Sequence, residues 1–295
     1  MKKWITAMRL RTLPLAFASI AMGAFLAASH NSFVLSIFIL CVVTTLLLQI
    51  LSNLANDYGD SVHGADNEER KGPSRAVQSG ALSPSAMKKA IIITSILSLV
   101  SGLYLLHISN LNFSEYLIFI GFGLLAIIAA ILYTNGKLPY GYKGLGDISV
   151  FIFFGLLAVV GSYYLQTRNL DPMIFLPGTS VGLFTVAVLN INNIRDIESD
   201  LAAGKKSIPA RLGRKNAVVY HAILLTGGLM ASLVYVSLNF TSIWQLSFLV
   251  ILPALLINFN AVRTKVEAGL LDPYLKQMAL TTLIFVIVFG VTNMN

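Results

Sequence analysis

The sequence predicts an all-α integral membrane protein that crosses the bilayer nine times. Three observations carry this. Apolar residues make up 56% of the chain and charged residues only 12%, a balance outside the range of ordinary soluble domains. The apolar residues gather in runs close to the ~20 residues that a helix needs to span the hydrocarbon core. The basic residues then fall on one side of the layout these runs define.

The expected spans are 12–29, 33–55, 86–107, 114–134, 148–166, 173–194, 216–238, 243–262 and 275–293, in one domain over 1–295. In the first, Arg11-Thr12-Leu13-Pro14 reads as a helix entry. Lys2, Lys3, Arg9 and Arg11 before Leu13 to Ala28, with Ala27-Ala28-Ser29 after, also resemble a signal peptide. The run is long enough to be kept as a span. The second span ends in Asn53, Asn56, Asp57 and Asp60, followed by Asp66. Short loops join the third, fourth and fifth. Before the fifth lies the glycine-rich Pro139 to Asp147, which is not a Walker loop because the lysine and hydroxyl are in the wrong order. Asp147 is expected to cap that helix. The sixth ends in Asn192, Asn193, Asp196 and Asp200. The two longest polar stretches, 57–85 and 195–215, begin at these acidic clusters.

Orientation follows from charge. Of the 21 Lys and Arg residues, all but Arg168 fall on one side when the N-terminus is placed in the cytoplasm. The C-terminus is then outside, in the cell membrane, and both acidic clusters face the cytoplasm. The net charge of +8 belongs to this asymmetry. No nucleic-acid-binding motif accompanies it, so nucleic acid is not an expected partner. The clusters occupy equivalent places four helices apart, a weak internal repeat of two four-helix units plus a ninth helix.

A carboxylate at membrane depth costs roughly 2.5–3.5 kcal/mol on insertion scales, so two clusters of them point to use. Asn192, Asp196 and Asp200 are spaced by four and four; Asn53, Asp57 and Asp60 by four and three; Asn56 also aligns with Asp60. If the helices continue that far, each cluster presents oxygens on one face. Hard oxygen donors suit Mg2+, which takes one or two carboxylates and completes its shell with water and phosphate oxygens. Two such sites facing one cavity would hold a diphosphate. Nearby cations able to balance a leaving diphosphate are Arg75, Lys137, Lys205, Lys206 and Arg211. Lys88, Lys89, Arg263 and Lys265 read as interfacial anchors, and Glu68 and Glu69 as a solvated face. The four histidines show no zinc spacing, and the lone Cys41 reads as packing.

At these residues the chain resembles the UbiA superfamily of intramembrane aromatic prenyltransferases. The resemblance spans nearly the whole chain. It rests on Asn56-Asp57-Tyr58-Gly59-Asp60, on Asn192-x-x-x-Asp196-x-x-x-Asp200, and on Tyr133-Thr134-Asn135-Gly136-Lys137 between them. Further matches at Arg11 to Ala16, Asn53 to Asp60, Pro139 to Asp147, Asn192 to Asp200 and Arg211-Leu212-Gly213 resemble the branch that prenylates 1,4-dihydroxy-2-naphthoate. Many members carry a third acid at the position of Gly64. Here the next acid is Asp66, which leaves that residue's role open.

The resemblance implies a UbiA-type nine-helix bundle in which polyprenyl diphosphate and 1,4-dihydroxy-2-naphthoate react to give demethylmenaquinone, carbon dioxide and diphosphate. Asp60, Asp196, Asp200 and Lys137 are the implied catalytic residues. Asn56, Asp57 and Asn192 join the three acids as implied magnesium ligands. Arg75, Lys137, Tyr133, Lys205 and Arg211 would bind diphosphate, and Asn53, Arg11 and Gln78 would touch substrate. Related acceptors are 4-hydroxybenzoate, a tocopherol precursor or haem. A secondary transporter is the alternative of another class, although it is expected to place ionisable groups near the bilayer midplane.

Overall fold

The computed structural model describes residues 2–64, 75–137 and 139–294; Asp66, Glu68 and Glu69 lie outside them. Nine helices among these are long and apolar enough to cross a membrane: α1 Lys2–Ser29, α2 Leu35–Val62, α3 Pro84–Ile108, α4 Phe113–Leu132, α5 Gly146–Thr167, α6 Pro172–Arg195, α7 Ile208–Leu238, α8 Ile243–Thr264 and α9 Ala268–Thr292. The described residues contain no strand.

Several ends differ from the hydropathy reading. The apolar signal of α2 fades near Leu54, yet the helix runs on to Val62. It therefore carries Asn56, Asp57 and Asp60 on regular helical turns. By contrast α6 stops at Arg195, and Asp196 stands at a break before the short helix Ile197–Ala202. The even spacing of the second cluster is thus interrupted. α1 is broken at Arg9, whose φ of 48° lies in the left-handed region. The break is held by Asn53, which donates to the Met8 carbonyl (2.9 Å) and to the Thr12 hydroxyl (3.0 Å). Asn53 accordingly fixes an element entry in this structure. Asp147 does not cap α5: the preceding Leu145 holds the cap position, and the buried Asp147 carboxylate accepts from Tyr220 on α7 at 2.9 Å.

The main core lies among α1, α5, α6, α7, α8 and α9, where Phe184, Phe248, Phe285 and Phe289 are fully buried. Without a hydrophobic drive between helices in lipid, close approach of small residues holds such bundles. At Gly155 an added Cβ would lie 2.7 Å from the Gly178 carbonyl oxygen and 2.8 Å from the Gly182 Cα. This contact between α5 and α6 falls within a π-helical stretch, Phe151–Val160, a form often found beside functional sites. The opposite extreme is α4, none of whose residues is buried. It is tied down near its ends. Glu115 pairs with Arg168 and accepts from Tyr164, while Asn135 and Thr134 donate to the Ala55 carbonyl.

Candidate active site

A cavity of about 390 Å3 opens inside the bundle. Its upper part is polar, lined by Asn53, Asn56, Asp60, Arg75, Asn192 and Lys205; deeper walls come from Leu103, Phe119, Phe154 and Leu157. The polar end lies where α2 and α6 finish, so two distant stretches of chain supply it.

Asp60 is the acid of α2 that faces this space. It accepts from the Tyr142 hydroxyl at 3.0 Å and pairs with Arg75 at 3.5 Å. Asp57, three residues earlier, is buried, and both its oxygens accept backbone N–H groups, from Ala76 (2.9 Å) and Val77 (3.0 Å). It does not line the cavity, and its two bonds pin the turn that carries Arg75. Asn56 lines the cavity and accepts from Thr134 at 3.3 Å.

From the other side, Asp200 accepts from Ser207 (2.9 Å) and pairs with Lys205 (3.2 Å). Asp196 is gripped by its neighbour Arg195 through two bonds of 2.8 and 2.6 Å, and the same guanidinium reaches Asp272 on α9 at 2.5 Å and Asn192 at 2.8 Å. A carboxylate has about four lone-pair sites, so Asp196 keeps acceptor capacity beyond this fork. Arg195, read from sequence as a topology marker, is fully buried at its side chain and organises the second cluster. A charge directly at the end of an apolar run was the available signal.

Lys205 joins the two clusters. Burial works against its charge, but Asp200 and Asp60, with Tyr133 and Asp196 behind them, outweigh this and hold the ammonium above the usual lysine range. Burial raises the Asp200 carboxyl above its ordinary value, with Lys205 and Ser207 opposing. Burial also pushes the Tyr133 phenol upward. Tyr133 lines the cavity and packs its hydroxyl on Gly146, where a Cβ would lie 2.6 Å away.

Other expected site residues stand elsewhere. Lys137 is exposed and does not line the cavity. Arg211 is exposed and donates to the carbonyls of Lys206 (3.0 Å) and Lys143 (2.5 Å), strapping two loops together. Gln78 accepts the Arg75 N–H at 3.4 Å without lining the cavity. Arg11 does line it, as does Arg9, which was not among the expected site residues.

Among the described residues, no three His, Cys, Asp or Glu side chains converge closely enough to hold a metal ion. The donor chemistry nonetheless fits magnesium. Asn56, Asp60, Asn192, Asp196 and Asp200 offer only oxygens and hard amide groups, and a cation, the Lys205 ammonium, already rests in their field. Magnesium needs few protein ligands when a diphosphate completes its shell.

The model of the UbiA prenyltransferase family matches residues 16–270. The chain belongs to the UbiA prenyltransferase family. A relative from Escherichia coli (strain K12), named 1,4-dihydroxy-2-naphthoate octaprenyltransferase, is 45% identical over 288 residues, covering 96% of this chain and 94% of its own. One of the same name from Haemophilus influenzae is 45% identical, covering 98% and 95%. Among solved UbiA structures, the apo form of a homolog from Aeropyrum pernix K1 aligns with a TM-score of 0.71 at 18% identity, covering 95% of this chain and 97% of that one. A homolog from Archaeoglobus fulgidus, solved with GPP and Mg2+, aligns with a TM-score of 0.64 at 17% identity, covering 97% and 99%. At such identities the UbiA likeness of the structures speaks for the fold.

Proposed function

We propose that this protein transfers a polyprenyl chain from polyprenyl diphosphate to 1,4-dihydroxy-2-naphthoate. Carbon dioxide and diphosphate leave, the new carbon–carbon bond replaces the allylic carbon–oxygen bond, and the quinol form of demethylmenaquinone is formed. The observation that carries the reading is the junction of two acid clusters by cations at the polar end of an apolar cavity. The relatives' shared name supplies the acceptor.

Each part of the site has a task in this chemistry. Asp60, Asp196 and Asp200, with Asn56 and Asn192, would hold Mg2+. Bound magnesium would supply positive charge against the leaving diphosphate. Arg75 and Lys205, paired with Asp60 and Asp200, bring positive charge to the place the phosphate oxygens would take. Fixed cations in a water-poor site stabilise developing charge far better than solvent does. The apolar walls hold the isoprenoid and keep water from the allylic cation. The site faces the cytoplasm in this reading, with the acids at one end of the helices. That placement does not suit a transporter, whose ionisable groups belong near the midplane.

The test is an acceptor panel. Purified protein in lipid is given one prenyl diphosphate with dihydroxynaphthoate, 4-hydroxybenzoate or a tocopherol precursor, and products are identified by mass. Decarboxylated prenyl naphthohydroquinone from the first acceptor is expected, or the quinone that air then forms from it. Product from 4-hydroxybenzoate alone would overturn the acceptor.

A further inference from the structure

The cations around the cavity are not alike. Arg75 is paired with Asp60, Lys205 with Asp200, and Arg195 with both Asp196 and Asp272. Lys276 also lines the cavity, from the first turns of α9. It is exposed and makes no ion pair among the described residues. The natural partner of a lysine on a helix is an acid four residues before it. Here that residue is Asp272, and Arg195 has drawn it away to the second acid cluster. The lysine is left facing a substrate cavity with its local counter-ion engaged elsewhere.

Lys276 differs from the other cavity cations in its pairing, since Asp272, one turn before it, is joined through Arg195 to Asp196. The acids stand on α2 and at the end of α6, whereas Lys276 stands on α9 next to α1. The turn Leu10–Thr12, held in place by Asn53, packs against α9. Arg9 and Arg11 on this broken segment line the same cavity. The α1–α9 side therefore brings further cations to the same cavity.

We infer that Lys276 binds the carboxylate of the aromatic acceptor. The inference rests on the proposed reaction, whose two substrates carry different anions. The diphosphate is matched by the acid–cation clusters. A monoanionic aromatic carboxylate needs a single cation not already held by an acid of the site, and Lys276 is that cation. It is a specificity-determining residue. By holding the carboxylate equally in the ground state and in the transition state of prenyl transfer it lowers the acceptor KM and leaves kcat little changed.

The experiment compares dihydroxynaphthoate with 1,4-dihydroxynaphthalene, which lacks the carboxylate. Binding is followed by titration calorimetry, and turnover is followed separately, in wild type, K276Q and K276R, in nanodiscs of neutral and of anionic lipid. K276Q is expected to weaken naphthoate binding and raise its KM about tenfold. It should leave the naphthalenediol and the donor KM unmoved, and K276R should restore naphthoate binding. Equal effects on both acceptors, no effect on either, or an effect that follows lipid charge rather than the acceptor would overturn the inference. Wild-type protein that binds naphthoate through Lys276 but never prenylates it would leave the inference standing and sink the reaction on which it was framed.

Discussion

Asp57 and Asp60 occupy neighbouring turns of one helix and carry the same side chain, yet their surroundings give them different tasks. Asp60 meets the cavity, Tyr142 and Arg75; Asp57 is consumed by two backbone N–H groups of the following turn. Replacing Asp60 by Asn removes charge from the diphosphate site, and a loss on the order of 10²–10³-fold in kcat is expected, with an unchanged melting profile. Asp57→Ala leaves buried donors unsatisfied, which costs roughly 1–3 kcal/mol each. It should lower the melting temperature and raise the donor KM through the loosened Arg75 turn. Equal behaviour of the two variants in both assays would contradict the division. Spacing marked both acids as candidates but did not separate them, because the partners that do so lie nineteen and twenty residues further on. Lys137 shows the same limit. Its distance from Tyr133 along a helix is correct, but α4 ends at Leu132 and the lysine turns outward.

At the scale of the helix, the seam between α5 and α6 matters most for rigidity. Gly155, Gly178 and Gly182 bring the two backbones together beside the cavity wall formed by Phe154 and Leu157. Gly155→Leu forces them apart. Overpacking of this kind typically costs ~1–3 kcal/mol, and thermal unfolding in detergent should register it as a lowered midpoint. An unchanged midpoint would mean that the seam is slack. The existence of both helices was legible from hydropathy, since a run of about 20 apolar residues has few other uses. The π-helical stretch was not, because its residues are as apolar as those of any span. Nor was the break at Asp196. It arises where Arg195 turns to hold Asp196 and Asp272, and no local pattern announces a partner on α9.

For the whole molecule, the count of spans among the described residues was accessible from composition and hydropathy alone. The structure adds which cations point inward. Lys276 and Arg9 carry the same interfacial signature as Lys88, yet the first two line the cavity and Lys88 lies over the Tyr58 ring at 5.3 Å. The membrane layout has a direct check. With the single cysteine removed as Cys41→Ser, Lys137→Cys should react with impermeant maleimide only from the cytoplasmic side and Arg168→Cys only from the outer side. Labelling of both from one side would break the nine-span arrangement.

The unburied state of α4 has a practical consequence. One thickness of helix separates the space for the isoprenoid from the surrounding amphiphile, and its glycines Gly121 and Gly123 meet nothing within 4 Å. A groove curtained so thinly shares its hydrophobic guests with the host solvent. Detergent carried through purification therefore competes with the donor's tail, and greasy inhibitors reach this enzyme by way of the bilayer, with potency governed by partitioning as much as by fit.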